Sequence, residues 1–205
     1  MDTKPIPGLL FASMLFLRYN GLKEKGGALY MQEPEVSLLI AMKYIRDGKA
    51  RNDIAVSIDG AHVKTNNTVH FDITSFMCKN GYIKCDGDSS RWHGTYQNPN
   101  HAPRIVISSK SGVGDVVIDL KDGKTLYIES KKFKNGNSGE YPAMREAIGQ
   151  LMTGCPDDPH VIPVVAVPLS AKSAELAQTW RANERVRRAG IHFMLVRDDG
   201  SIDFK

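Results

Sequence analysis

Cysteine is scarce in this chain: only Cys78, Cys85 and Cys155 occur among 205 residues. A small, odd number excludes a framework of disulfides and is typical of a reducing compartment. Cys78 and Cys85 lie near His93 and His101 in the sequence. A zinc-organised interaction domain is therefore one alternative, although the Cys-x6-Cys spacing is looser than that of a zinc knuckle.

Long apolar runs are missing as well. The run from Leu9 to Leu17 has nine residues and ends at Arg18, whereas a helix that spans a membrane needs about 20. The run also lacks the basic region and the small-residue cleavage site of a signal peptide. We therefore predict no membrane partner and a cytoplasmic location. The run is expected to form a core or dimer-contact helix within an N-terminal helical arm, residues 1–32.

Neither positive nor negative residues dominate the composition. The chain has 27 Lys and Arg against 23 Asp and Glu, so its formal charge is +4, which permits an anionic partner without requiring one. The hydrophobic fraction of 41% and the charged fraction of 24% are those of an ordinary globular protein and exclude disordered, collagen-like and coiled-coil classes. The length suits a single domain over residues 1–205.

The spacing of apolar residues predicts helices first, and then strands that alternate with helices. The predicted helices are Glu33–Arg46, Asp72–Lys79, Glu140–Met152 and Ser173–Ala189. The predicted strands are Arg104–Ser108, Asp115–Leu120, Thr125–Phe133, Val161–Val167, Ile191–Val196 and an edge strand that ends at Phe204. Ile54–Ile58 fits either a strand or a helix end. The order implies an α/β fold of the α+β type, a central mixed β-sheet flanked by helices, with its core at residues 104–196.

The polar segment from Gly81 to Arg104 interleaves basic and aromatic side chains, as surfaces that contact nucleic acid do. The alternative is a solvated loop with one short strand, His93–Tyr96. The candidate contacts to nucleic acid are Lys84, Arg91, Trp92, His93, Tyr96 and Arg104, together with Arg145 on the later helix.

The chemistry centres on a predicted hairpin of two strands. Glu129 and Lys131 share one face of the second strand because side chains alternate. In a two-residue turn at Asp122–Gly123, Asp115 of the first strand would face Ser130. In a three-residue turn that also includes Lys121, Asp115 would face Glu129 instead. Only the second turn, or a bulge elsewhere, brings two carboxylates and an amine together.

Such a cluster has a definite chemical use. Two carboxylates bind a hard divalent cation, and Mg²⁺ is favoured where few protein ligands and several waters complete the shell. The metal polarises a phosphate oxygen and acidifies a water, and a lysine beside it orients that water or removes its proton. The alternative is an ion pair on a solvated strand face.

Asp115, the short hairpin, Glu129-Ser-Lys131 and the following helix resemble the PD-(D/E)xK nuclease superfamily, to which restriction endonucleases and archaeal-type Holliday junction resolvases belong. The resemblance covers residues 104–193. It implies a restriction-endonuclease-like fold, with residues 104–196 as its catalytic core. One departure is Gly114, which occupies the position of the proline in the family's name.

The resemblance also implies roles for individual residues. Asp115 and Glu129 would bind Mg²⁺, for which Mn²⁺ substitutes, with the backbone carbonyl of Ser130 as a third ligand, and Lys131 would position or activate the attacking water. The remaining candidates are Glu35 as an acidic residue from an early helix, Gln150 or Arg145 as the polar residue of the later helix, and Asp119 as a further ligand. Glu35 also suits a helix first turn, Gln150 a helix boundary, and Asp119 a solvated position.

These expectations lead to a Mg²⁺-dependent endonuclease that acts on double-stranded DNA, with a small type II restriction enzyme as the leading form. A Holliday junction resolvase or a repair nuclease of the same fold is the nearest alternative. A nucleic-acid-binding module without catalysis is another. A palindromic target cut in both strands favours a homodimer.

Overall fold

A computed structural model of the chain describes residues 31–86, 88, 90–133 and 139–205. The predicted N-terminal arm, with its apolar run, lies outside the described residues except for Met31 and Gln32. No helix in the described part of the chain is long and apolar enough to cross a membrane.

From residue 104 onward, helices and strands follow the predicted order, and their bounds differ by a few residues. The helices are α1 (Glu33–Arg46), α2 (Gly60–Val63), α3 (Ile73–Lys79), α4 (Glu140–Gly154), α5 (Ala171–Ala182) and α6 (Glu184–Arg188). The strands are β1 (Ile54–Ser57), β2 (Lys64–Thr65), β3 (Thr68–Val69), β4 (Ile83–Lys84), β5 (Gly94–Gln97), β6 (Ile105–Ser108), β7 (Val116–Asp119), β8 (Thr125–Ser130), β9 (Val161–Pro168), β10 (His192–Val196) and β11 (Ile202–Phe204).

One large mixed sheet organises the described residues. Its strand order is β11-β10-β9-β8-β7-β1-β6-β5-β4, and β2 and β3 form a separate two-stranded sheet. The pairs β8–β9, β9–β10 and β1–β6 are parallel, and the other neighbours in the large sheet are antiparallel. The predicted class, α/β with a mixed sheet flanked by helices, is therefore confirmed.

Helices cover the two faces of the sheet, and each face has its own core. Helix α1 is buried along most of its length and packs with one face of the central strands. Helices α4 and α5 cover the other face over β8, β9 and β10. Strand β8 lies between these layers and has five consecutive buried residues, from Leu126 to Ser130. Its position explains why its sequence is apolar apart from the residues at its end.

Three segments differ from the prediction. Helix α2 and strands β2 and β3, within residues 60–69, were not predicted. The expected helix Ser173–Ala189 is divided into α5 and α6, because Asn183 leaves the helical conformation and its side chain caps the first turn of α6. The segment Gly81–Arg104 contains two strands rather than one, and β4 and β5 form one edge of the sheet. The segment Ile54–Ile58 resolves to strand β1, which lies between β6 and β7.

Candidate active site

The turn between β7 and β8 sets the register on which the site depends. Asp119 pairs with Thr125, and the backbone N–H of Leu120 donates to the carbonyl of Lys124 at 2.7 Å. Gly123 has φ +88°, the left-handed conformation that a three-residue turn requires. Val116 pairs with Ile128, so extension of this register by one residue sets Asp115 opposite Glu129. The three-residue turn is therefore the one that forms.

Asp115 and Glu129, the acid pair, lie at the end of the hairpin in largely desolvated surroundings. Glu129 is 8% exposed. Burial raises the pKa of Asp115 to about 8, the adjacent Glu129 carboxylate adds to this rise, and a 2.8 Å hydrogen bond from the Ser130 N–H opposes it. Burial also raises the pKa of Glu129 to about 7, although the Lys131 ammonium opposes the rise. Two acids in this state accept a divalent cation readily, because its charge removes the cost of ionising both.

Lys131 is enclosed by carboxylates. It is 9% exposed, and its Nζ lies 3.4 Å from Glu146 Oε1 and 3.9 Å from Glu33 Oε1. Burial acts to lower the pKa of Lys131, but the charges of Glu33 and the other nearby carboxylates outweigh it and raise that pKa. Lys131 is therefore a cation at neutral pH. It is suited to hold an anion or orient a water rather than to accept a proton.

The acidic residue that helix α1 contributes to this neighbourhood is Glu33 rather than the predicted Glu35. Glu35 is the N3 residue of a capping box, and its carboxylate accepts a hydrogen bond from the backbone N–H of Gln32 at 3.3 Å. Glu33 lies two residues earlier and points its carboxylate toward Lys131, and its charge raises the pKa of both members of the acid pair. Sequence alone shows two acids in one turn, and only the direction of the helix decides between them.

A cleft of about 520 Å³ opens above the acid pair. Asp115, Glu129 and Tyr127 line it, Gln150 and Thr153 of α4 line it from the helix, and residues 109–113, the cleft loop, form part of its wall. The predicted Gln150 thus faces the same space as the acid pair. The prediction did not include Tyr127, although its alternation with Glu129 along β8 is a signal that places it on the same face.

Gly114 has a packing reason to lack a side chain. A Cβ at this position would lie 2.9 Å from Cε1 of Tyr127, closer than real contacts allow. The Tyr127 ring therefore occupies the space that a proline side chain at this position would need.

Asp119 lies at the opposite end of β7 from Asp115 and serves another purpose. Its carboxylate accepts hydrogen bonds from Asn52 Nδ2 and Thr125 Oγ1, both at 2.9 Å, and these bonds lower its pKa. Arg51 lies 3.9 Å away. Four residues along a strand separate Asp119 from Asp115 by roughly 13 Å. The prediction that Asp119 is a further ligand of a metal ion held by the acid pair is therefore wrong.

The predicted contacts to nucleic acid fall into two groups. Tyr96 is only 1% exposed and its hydroxyl donates to the Trp92 carbonyl at 2.8 Å, so it is a core residue and its assignment as a contact is wrong. The Lys84 ammonium donates to the backbone carbonyls of Asp88 and Arg91. It therefore stabilises the loop that follows β4. Arg104 forms a two-point ion pair with Asp53, at 2.6 and 2.9 Å, which joins β6 to the start of β1.

The second group is exposed or partly exposed. The Trp92 and His93 rings stack at 3.5 Å, and His93 Nε2 lies 3.2 Å from Ser109 Oγ of the cleft loop. The Arg91 side chain is 76% exposed. Arg145 is an exposed residue of α4 and lies 5.8 Å from the ring centroid of Tyr141. Arg91 and Arg145 are thus open to a partner, whereas Trp92 also packs against the core.

Cys78 and Cys85 are both exposed free thiols. Within the described ranges, no three His, Cys, Asp or Glu side chains form a group that could hold a metal ion. The structure therefore offers no support for a zinc-organised domain at these cysteines. Any cation at the acid pair would depend on two carboxylates, backbone oxygen and water.

Comparisons of the chain with models of protein families, with curated proteins and with solved structures find no match. The function must therefore be argued from the geometry of the cleft and the acid pair.

Proposed function

We propose that this chain is a Mg²⁺-dependent endonuclease that hydrolyses phosphodiester bonds in double-stranded DNA, with a restriction-endonuclease-like core. One observation carries the proposal: the hairpin register sets Asp115 opposite Glu129, and Lys131 follows directly after the end of β8, where its charge acts on both carboxylates. The following helix α4 adds Gln150 to the same cleft. The order of hairpin, helix and parallel strand also agrees with the family that the sequence resembles.

The donor set fits Mg²⁺. Asp115 and Glu129 offer hard carboxylate oxygens, and the raised pKa of each reflects a burial cost that a divalent cation would offset. The backbone carbonyl of Ser130 would be a third ligand. A Mg²⁺ ion normally retains several waters and needs only one or two carboxylates from the protein, so a third acidic side chain is not required. When bound, Mg²⁺ supplies polarisation of the phosphate and a more acidic water.

Side chains of the protein would carry out the remaining catalytic and binding functions. The Lys131 ammonium, held by Glu33 and Glu146, would orient the attacking water and stabilise the negative charge that develops on the phosphate. Gln150 would donate to or accept from the substrate in the cleft. Arg91, Arg145 and the stacked Trp92 and His93 would contact the DNA outside it.

We propose a homodimer for cleavage of both strands, as expected of a type II restriction enzyme. One copy of the chain offers one acid pair, and a palindromic duplex presents its two scissile bonds with two-fold symmetry. Sedimentation at several concentrations, with and without duplex DNA, tests this point. Monomer alone under every condition would contradict it.

Plasmid cleavage tests the activity. Supercoiled plasmid is incubated with wild type, Glu129→Gln and Asp115→Asn, in Mg²⁺ and in EDTA. We expect Mg²⁺-dependent cleavage by wild type and a loss of at least about a hundredfold in either variant, since each removes a metal ligand and its charge. The matched control is Asp119→Asn, which changes the same strand away from the cleft and should keep activity.

The products separate the alternatives. Discrete fragments support a sequence-specific restriction enzyme. Nicking or smearing supports a repair nuclease, and cleavage of branched DNA alone supports a resolvase. If wild type binds DNA without cutting plasmid, branched DNA or RNA, the endonuclease proposal fails and a binding module remains. In that case Glu129→Gln and Lys131→Ala should leave affinity almost unchanged.

A further inference from the structure

We infer that Lys110 binds a phosphate of the DNA backbone and holds the substrate in the cleft above the acid pair. The inference rests on the proposed function, because it assigns the substrate contact of that same site. Lys110 belongs to the cleft loop, an exposed Ser-Lys-Ser-Gly-Val segment between β6 and β7.

Charge balance in the cleft gives the first argument. Asp59, Asp115 and Glu129 line it and would repel an anionic phosphodiester. Among the described residues that line the cleft, Lys110 is the only lysine or arginine. Lys131, the cation nearest in sequence to the acid pair, is instead held by Glu33 and Glu146. A phosphate that enters the cleft therefore finds its one lining ammonium on the loop.

The loop is anchored, which gives the second argument. The Ser57 hydroxyl donates to the Lys110 carbonyl, and the Ser57 N–H donates to the Asp115 carbonyl at 2.8 Å. One residue of β1 thus fixes both the phosphate-binding residue and a metal ligand. The Lys110 side chain itself makes no ion pair within the described part of the chain.

The surroundings of the loop give the third argument. Ser109 contacts His93, and His93 stacks on Trp92. His93 and Trp92 thus lie beside the loop that carries Lys110, with both rings partly exposed and Trp92 also packed against the core. This arrangement suits a nucleic-acid strand whose backbone passes over the loop.

The test is DNA binding measured by fluorescence anisotropy of a labelled duplex in EDTA, over a series of salt concentrations. Lys110→Ala should weaken binding by roughly threefold to tenfold and reduce the slope of log affinity against log salt by about 0.9, the value for one phosphate contact on duplex DNA. Lys110→Arg should keep both the wild-type affinity and the wild-type dependence on salt. The matched control, Lys121→Ala, changes an exposed lysine in the β7–β8 turn and should match wild type.

The outcomes separate this inference from the proposed function. If Lys110→Ala binds and cuts like wild type while the plasmid assay shows Mg²⁺-dependent cleavage, the inference is overturned and the endonuclease stands. If wild type does not cut but Lys110→Ala alone loses affinity and slope, the inference stands and the endonuclease fails. Equal losses in Lys110→Ala and Lys121→Ala would overturn the inference, because they would indicate a general effect of charge.

Discussion

The burial of the acid pair predicts that the metal-free protein becomes less stable as pH rises. Asp115 has an ordinary pKa of 3.8, and burial raises it to about 8 in the folded chain. A folded-state pKa above the unfolded value means that the native state binds the proton more tightly. The resulting stabilisation is complete below about pH 4 and is lost as pH rises through 8. Asp115→Asn removes the part of this dependence that comes from residue 115, because asparagine has no charge to bury.

The magnitude follows from the shift. One pKa unit corresponds to 1.36 kcal/mol, so a single group with this shift would change the free energy of unfolding by at most ~4 kcal/mol between pH 5 and pH 8. Glu129 adds to the same trend, since its pKa rises from 4.5 to about 7. Water entry and side-chain movement relax a buried charge. We therefore expect wild type to lose about 2–3 kcal/mol over this range and Asp115→Asn less than half of that.

The assay is urea unfolding in EDTA at pH 5, 6, 7 and 8, followed by the fluorescence of the two tryptophans. The control is Asp119→Asn: hydrogen bonds lower the pKa of Asp119, so this variant should lose stability about equally at every pH in the range. Saturating Mg²⁺ should stabilise wild type by about 2.7 kcal/mol at a hundred times its Kd and leave Asp115→Asn unchanged. Parallel pH profiles for wild type and Asp115→Asn would refute the reasoning.

Other predictions concern packing and charge. Gly114→Ala should lower the free energy of unfolding by about 1–3 kcal/mol, because its Cβ meets the Tyr127 ring, and Tyr127→Leu in the same chain should recover part of that loss in a double-mutant cycle. Tyr96→Phe should cost about 0.5–1.5 kcal/mol in urea unfolding and leave DNA affinity unchanged, whereas a selective loss of affinity would restore Tyr96 as a contact. Lys131→Met should raise the pKa of Glu129 further and move Mg²⁺ binding, measured by thermal shift, to higher pH; an unmoved pH profile would contradict this.

Much of the fold could be predicted because its elements have strong local signals. The alternation in β7 and β8, the glycine of their turn and the apolar length of β9 are all visible in the sequence. The register remained open, because both a two-residue and a three-residue turn suit Asp122–Gly123. Only the pairing of the two strands along their whole length decides between these turns. A slip of one residue in the register would separate Asp115 from Glu129.

Side-chain direction was less predictable. Glu33 and Glu35 occupy the same helical turn, so either can point toward the sheet until the rest of α1 is packed. Tyr96 and Arg104 have the composition of a binding surface, but Tyr96 faces the core and Arg104 meets Asp53. The partner of Arg104 lies 51 residues away in sequence. The alternation of short strands such as β5 is too brief to show which side faces inward.

Pro168, the last residue of β9, has a consequence for the backbone at the end of β8. The Lys131 N–H donates to the Ala166 carbonyl at 2.9 Å. In a parallel ladder the return bond to the Lys131 carbonyl would come from residue 168, which as proline has no N–H. The hydrogen bonds between β8 and β9 therefore end at the Lys131 N–H. Amide exchange should therefore be slow at Glu129 and faster immediately after Lys131, so that the acid pair lies on backbone that the ladder holds in place.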